Sequence, residues 1–310
     1  MNFPVDAIRG EFPALELRDE GLPRIYFDNP AGTQVPRRVA DAVARCLVET
    51  NANLGGFFPT SLAAEQIVER AHRAMAHFLG ARSFREIVIG ASMTALTFAM
   101  ARSLGRRFAP GDEIVVTRMD HDGNIAPWLS LAEDRGLGVR WVPFDERTWR
   151  VEPAELERVL TRKTRLAAIN YASNMTGSIN DVRALVDRIH AAGALAYVDA
   201  VQMAPHQPID VEAIGCDFVT CSSYKFFGPH LGILWGRQSL LEEVYAYKVR
   251  PQPSQLPWKF EVALPRSNRS PHSKRLVRIS NGLDRCSNRT PNPGGGCWRR
   301  LGRCSPGSGP

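Results

Sequence analysis

The 310-residue chain has no apolar run near the roughly 18–20 uninterrupted residues that a membrane-spanning helix needs. Its first residues, MNFPVDAIRGEFPAL, carry acids early and offer neither an apolar h-region nor a small-residue cleavage site, so a secretory signal is not expected. The six cysteines form no regular framework and include no C-x-x-C pair, and His272 lies far from the cysteine-rich stretches. A structural zinc site is therefore not expected, and a chain of this length needs no disulfide staples. A reducing, cytoplasmic setting is the expectation. No internal repeat is present.

The net charge of +7 suggests nucleic-acid binding until its location is considered. Residues 262–310 hold ten Lys and Arg against one acid, Asp284, which leaves residues 1–261 at about −2. The basicity belongs to the tail, and no aromatic or helical reader accompanies it, so a nucleic-acid partner is not expected. The tail is dense in Arg, Ser, Pro, Gly and Asn and has no period of either kind. Such a composition buries too little apolar surface to offset its ordering entropy, and low order is expected there.

The rest of the chain alternates β-branched runs with amphipathic helical patterns, which predicts an α/β fold around a largely parallel sheet. Seven strands are predicted, at 85–90, 112–117, 138–144, 165–173, 195–200, 217–223 and 232–236. Helices are predicted near 61–79, 93–107, 124–135, 153–160, 181–192 and 210–214. In the stretch 181–192, Val182, Leu185, Val186 and Ile189 fall on one helical face, and Gly193 supplies the stop.

Chemistry concentrates in Cys221-Ser222-Ser223-Tyr224-Lys225-Phe226-Phe227-Gly228-Pro229, directly after a strand. A lysine at the carboxyl end of a strand sits where α/β sheets bind ligands. Desolvation there lowers its pKa and makes the amine nucleophilic toward an aldehyde. A lysine taken at random in a loop is usually solvated, but Asp199 changes the balance. It ends another apolar strand, Ala196-Tyr197-Val198-Asp199, and a buried carboxylate there is costly unless it meets a cation. An acid alone at a strand end is as often a turn or cap residue. The pair is far more specific.

With these residues in place, VDAVQMAPHQPIDVEAIGCDFVTCSSYKFFGPHLGILWG resembles the core of the class V aminotransferase group of pyridoxal phosphate (PLP) enzymes, in its cysteine-desulfurase-like branch. The likeness runs from about Tyr26 to Glu261. It implies fold type I, with a seven-stranded sheet sandwiched by helices, an amino-acid substrate and a homodimer.

The resemblance also implies roles. Lys225 would carry PLP as a Schiff base and move the substrate Cα proton. Asp199 would pair with the pyridine nitrogen, which strengthens the ring as an electron sink. Gln202 and Asn174 would meet the phenolic oxygen, and Asn174 also the substrate. The phosphate would lie at Ser92, Met93 and Thr94, where a helix N-terminus favours an anion, with Ser222 and Tyr224 adding contacts. By itself a serine before a helix is more often an ordinary N-cap. Ala31 and Gly32, in Phe27-Asp28-Asn29-Pro30-Ala31-Gly32-Thr33, would lie beside the substrate.

Departures from the pattern are equally specific. The typical ring-stacking position carries Asp122, with His121 one place earlier, so either residue is a candidate for covering the ring. Tyr224 stands where the family commonly has histidine. The expected organisation is an N-terminal segment (1–20), a PLP-binding large domain (21–261) and a tail (262–310) in which the family's small C-terminal domain has no counterpart. Within that tail, Cys286, Cys297 and Cys304 are poor candidates for a sulfur-accepting nucleophile. The abrupt change near residue 262 is read as a reading-frame shift, with a genuine basic tail as the alternative. The functional expectation is a desulfurase-like enzyme of amino-acid metabolism; the alternative is a protein that binds PLP without turnover.

Overall fold

A computed structural model describes residues 4–261. The tail, with its expected low order and its three cysteines, lies outside the described residues.

The chain opens with the short helix α1 (Val5–Arg9) and a two-stranded ribbon, β1 (Arg18–Asp19) and β2 (Leu22–Pro23). Two helices follow, α2 (Arg37–Glu49) and α3 (Pro59–Leu79). Strands and helices then alternate: β3 (Ile87–Gly90), α4 (Met93–Gly105), β4 (Glu113–Thr117), α5 (Ala126–Arg135), β5 (Gly138–Val142), α6 (Pro153–Val159) and β6 (Thr164–Asn170). The alternation continues through α7 (Val182–Ala191), β7 (Leu195–Asp199), α8 (Val211–Ile214), β8 (Phe218–Ser222), β9 (Gly232–Gly236) and α9 (Gln238–Glu243).

Strands β3–β9 form one seven-stranded sheet in the order β3-β9-β8-β7-β6-β4-β5. Only β9 runs against the others, pairing antiparallel with β3 and β8. Both faces are covered. Because side chains alternate along a strand, Ala196 and Val198 pack into the core beneath α3, α6 and α7, whereas Tyr197 packs into the core beneath α4 and α5. Two buried layers around one sheet explain why these strands read as continuous apolar runs.

Local signals account for the helix ends. Asp181 caps α7 by accepting from the Ala184 amide at 3.1 Å, and Gly193 takes a φ of +78° just beyond the helix. Its predicted face, Val182, Leu185, Val186 and Ile189, is at most 3% exposed. Burial of each such side chain contributes about 1.5–3 kcal/mol. All seven predicted strands are present, most of them trimmed at an end. The three helices α1, α2 and α9 were not predicted. Helix α2 buries Val39, Ala42 and Cys46, an apolar stripe at helical spacing that the sequence carried and the prediction passed over.

A buried pair ties the last described segment to the sheet. Glu261 Oε1 lies 2.6 Å from His72 Nε2 and accepts from the Ile89 amide at 2.7 Å, and the His72 ring packs edge-on against Trp258.

Candidate active site at the strand ends

Six parallel strands end on one edge of the sheet, and four of them, β3, β6, β7 and β8, close there with Gly90, Asn170, Asp199 and Ser222. Strand β9 is reversed, so its first residue, Gly232, sits between Gly90 and Ser222. This carboxyl edge is where open α/β sheets bind ligands. A cavity of about 440 Å³ opens there.

Asp199 is 4% exposed and pairs in register with Asn170 and Thr220 on the neighbouring strands. Among the described residues the one hydrogen bond to its carboxylate comes from the Val201 amide, at 2.8 Å. Burial pushes its carboxyl up to about 6, against the pull of that amide and of Lys225. Lys225 follows β8 in the 3₁₀ turn Ser223–Lys225 and is 6% exposed. Burial lowers its pKa, while the charges of Asp28 and Asp199 oppose the shift. Its Nζ donates to the Pro30 carbonyl and lies 4.5 Å from the centroid of the Tyr224 ring. The two residues singled out in the sequence therefore share one cavity.

Gln202 and Asn174 line the same space. Gln202 Nε2 donates to the Pro30 carbonyl at 2.9 Å, joining the strand end to the segment 28–33. Asn174 is carried by a turn in which Ser173 Oγ accepts from the Met175 and Thr176 amides.

Toward β3, the cavity wall is made by Ser92, Met93, Thr94 and Ser222. Ser92 is the N-cap of α4, accepting from the Ala95 amide at 3.0 Å, and its hydroxyl proton stays available for a ligand. A Cβ at Gly232 would lie 2.2 Å from the Ser92 carbonyl carbon and 2.4 Å from the Met93 nitrogen. Glycine there is what lets the helix N-terminus settle over β9.

Two expected site residues fall elsewhere. His121 lines the cavity but Asp122 does not. His121 Nδ1 accepts from the Gly123 amide at 2.9 Å and caps the 3₁₀ turn Asp122–Asn124, which leaves Asp122 exposed at its start. Ala31 lines the cavity, whereas Gly32 packs against the Tyr224 ring, where a Cβ would come within 3.2 Å.

Sequence reasoning assigned no role to Asp28, Asp120, Asn170 or His230. Asp28, Asn170 and His230 line the cavity. Asp120 accepts from Asn124 Nδ2 at 2.6 Å, the Asn170 amide at 3.0 Å and the Thr117 hydroxyl. Burial pushes its carboxyl up to about 8, against these hydrogen bonds and with help from the charge of Asp199. His230 lies five residues beyond Lys225 in the same motif, the one signal that would have found it. Asn170 looks like an ordinary strand end, and only the fold reveals it.

Residues 25–261 match the family model for aminotransferase class V. The chain belongs to that family. Aminotransferase class V enzymes are PLP-dependent. The chain is 38% identical over 244 residues to the aminotransferase-like protein FGM3 of Gibberella zeae, covering 77% of this chain and 59% of that protein. It is 36% identical over 247 residues to a cysteine desulfurase of Yersinia pestis, covering 79% and 61%. It thus spans about 60% of the length of these curated relatives. A crystal structure of the cysteine desulfurase CsdA from Escherichia coli superposes with a TM-score of 0.80 at 25% identity, over 93% of this chain and 79% of that one. The apo cysteine desulfurase from Thermococcus onnurineus NA1 superposes at 0.78, also at 25% identity, over 93% and 78%.

The donor set fits the family's cofactor. It combines a buried amine of lowered pKa, a buried carboxylate with a single amide partner, and hydroxyls at a helix N-terminus. Among the described residues no helix is long and apolar enough to cross a membrane.

Proposed function

We propose that residues 21–261 form a PLP-binding domain and that the chain is a desulfurase-like enzyme acting on an amino acid. The observation that carries this reading is the Asp199–Lys225 pair, two buried groups, one ending β7 and one in the turn after the adjacent β8, that face one cavity. When bound, PLP supplies an aldehyde that condenses with amines and a ring that draws electron density from the substrate Cα.

The chain's own residues divide that work. Lys225 Nζ would hold the aldehyde carbon, and Asp199 would hold the proton on the pyridine nitrogen. Gln202 and Asn174 would orient the phenolic oxygen, with Asn174 also near the substrate. Ser92, Thr94, Ser222 and the Met93 amide would take the phosphate. His121 would cover the ring. Lys225 would also take the substrate Cα proton, and its lowered pKa leaves more of the amine unprotonated for that task. Pro30, Ala31 and Tyr224 would wall the reacting end from water. The outcome, sulfur transfer, elimination or transamination, depends on groups beyond this pair. The three cysteines among the described residues, Cys46, Cys216 and Cys221, are all buried.

We also propose a homodimer. The family resemblance supports this reading, and Phe57 and Phe27, 100% and 95% exposed, are the side chains that such an interface would cover first.

A second reading, cofactor capture without turnover, is favoured by one observation. No arginine lines the cavity among the described residues, so no guanidinium there grips a substrate carboxylate. Visible spectra with added PLP test the site for the native chain and Lys225→Ala; an absorption band unchanged in the variant would sink the Lys225 assignment. Sulfide and alanine release from cysteine then separates the two readings.

A further inference from the structure

The order β3-β9-β8 puts three chain segments around one corner of the cavity: the start of α4 after β3, Ser222 at the end of β8, and the residues leading into β9. Because β9 runs backwards, its approach segment, not its exit, lies on this edge. His230 is two residues before Gly232 and lines the cavity. Its ring stacks on Tyr224 with centroids 4.1 Å apart and an interplanar angle of 8°. Tyr224 is itself fixed, since its carbonyl accepts from both the Thr33 amide and the Thr33 hydroxyl, each at 2.9 Å.

A phosphate carries close to two negative charges, and few cavity residues can answer it with a cation. Lys225 is turned to Pro30 and flanked by Asp28 and Asp199. His121 receives the Gly123 amide on Nδ1, so that nitrogen carries no proton. His230 has no hydrogen-bond partner for either ring nitrogen among the described residues, and the stacked tyrosine restrains its ring before any ligand arrives. A donor restrained in advance loses less entropy on binding.

We propose that His230, braced by Tyr224, donates an imidazole N–H to the cofactor phosphate and sets the preference for PLP over unphosphorylated pyridoxal. This rests on the PLP reading above and extends it to a residue outside the lysine–aspartate pair.

The test is binding of two probes, PLP and pyridoxal, to the full chain and its variants, followed by absorbance. His230→Ala is expected to raise the Kd for PLP by about tenfold or more, the effect of losing a charge-assisted hydrogen bond. The Kd for pyridoxal should stay within about twofold. His230→Gln keeps an N–H donor and should recover part of the preference. Tyr224→Leu removes the brace and should weaken PLP binding, and in that background His230→Ala should cost less than it does alone. If native protein binds PLP and His230→Ala keeps its phosphate preference, or loses both probes equally, the assignment to His230 is overturned alone. If native protein binds neither probe, the PLP reading falls and this inference falls with it.

Discussion

Two walls of the same cavity are built in different ways. The sheet wall carries Asn170, Asp199, Ser222 and Lys225, each at most 6% exposed and each held at or just after a strand end. The opposite wall is the segment 28–33, whose Asp28, Pro30 and Ala31 are exposed. It is tied down by a few bonds: Gln202 and Lys225 to the Pro30 carbonyl, and Thr33 to Tyr224 and the Phe227 amide. The first wall holds ionisable groups where burial perturbs them. The second closes over that chemistry and is stabilised largely by it. Groups that need a tuned pKa belong on the rigid wall, and the proposed substrate-facing groups lie on the looser one.

The sharpest way to break this contrast is Lys225→Ala. Covalent capture of PLP should vanish in the absorbance spectrum, and any cysteine turnover should fall by about 10²–10⁴-fold or more, the usual worth of a positioned acid–base group. Next is Glu261→Ala, which strips the buried partner from His72. Urea unfolding should show a loss of about 3–5 kcal/mol. Burial opposes protonation of His72, but the charge and hydrogen bond of Glu261 overcome it and raise its pKa. The stabilisation from that pair should therefore be complete below about pH 6.5 and decline as pH rises through the raised value.

Asp199 gives a subtler pH signature in the cofactor-free chain. Its folded pKa of about 6 lies above its unfolded value, so its contribution is largest below about pH 4 and is lost as pH rises past 6. Native protein should lose roughly 2–3 kcal/mol relative to Asp199→Asn across that window, read from paired urea titrations. Added PLP should reverse the order, since the carboxylate then gains a cation.

On the looser wall the effects should shrink. Gln202→Ala removes one hydrogen bond to Pro30 and the proposed contact with the phenolic oxygen, and the Kd for PLP should rise about fivefold to tenfold. Phe27→Ser, at the exposed residue that leads into segment 28–33, should change the unfolding free energy of the monomer by less than about 0.5 kcal/mol. A loss of several kcal/mol there would show that the segment is packed as tightly as the sheet.

The same contrast explains what the sequence disclosed. Lys225 and Asp199 are legible because one directly follows and the other ends an apolar strand, a place where a charge needs a reason. The seven strands are legible because burial on both faces leaves long β-branched runs. Helix α2 was legible too, through Val39, Ala42 and Cys46 at helical spacing, and was missed. His121 and Asp122 could not be separated from sequence because one residue of register decides between them, and the Gly123 amide bonded to His121 Nδ1 sets that register. Asp120 and Asn170 acquire meaning only once β4, β6 and β7 lie side by side.

The central claim, that the Asp199–Lys225 pair makes a PLP site, is tested most directly by covalent mapping. The chain has five lysines, Lys163, Lys225, Lys248, Lys259 and Lys274. Borohydride reduction of the PLP-loaded protein, followed by peptide mass mapping, should place a single phosphopyridoxyl group on Lys225, with much less incorporation in Asp199→Ala. A group on another lysine, or spread evenly over all five, would contradict the account.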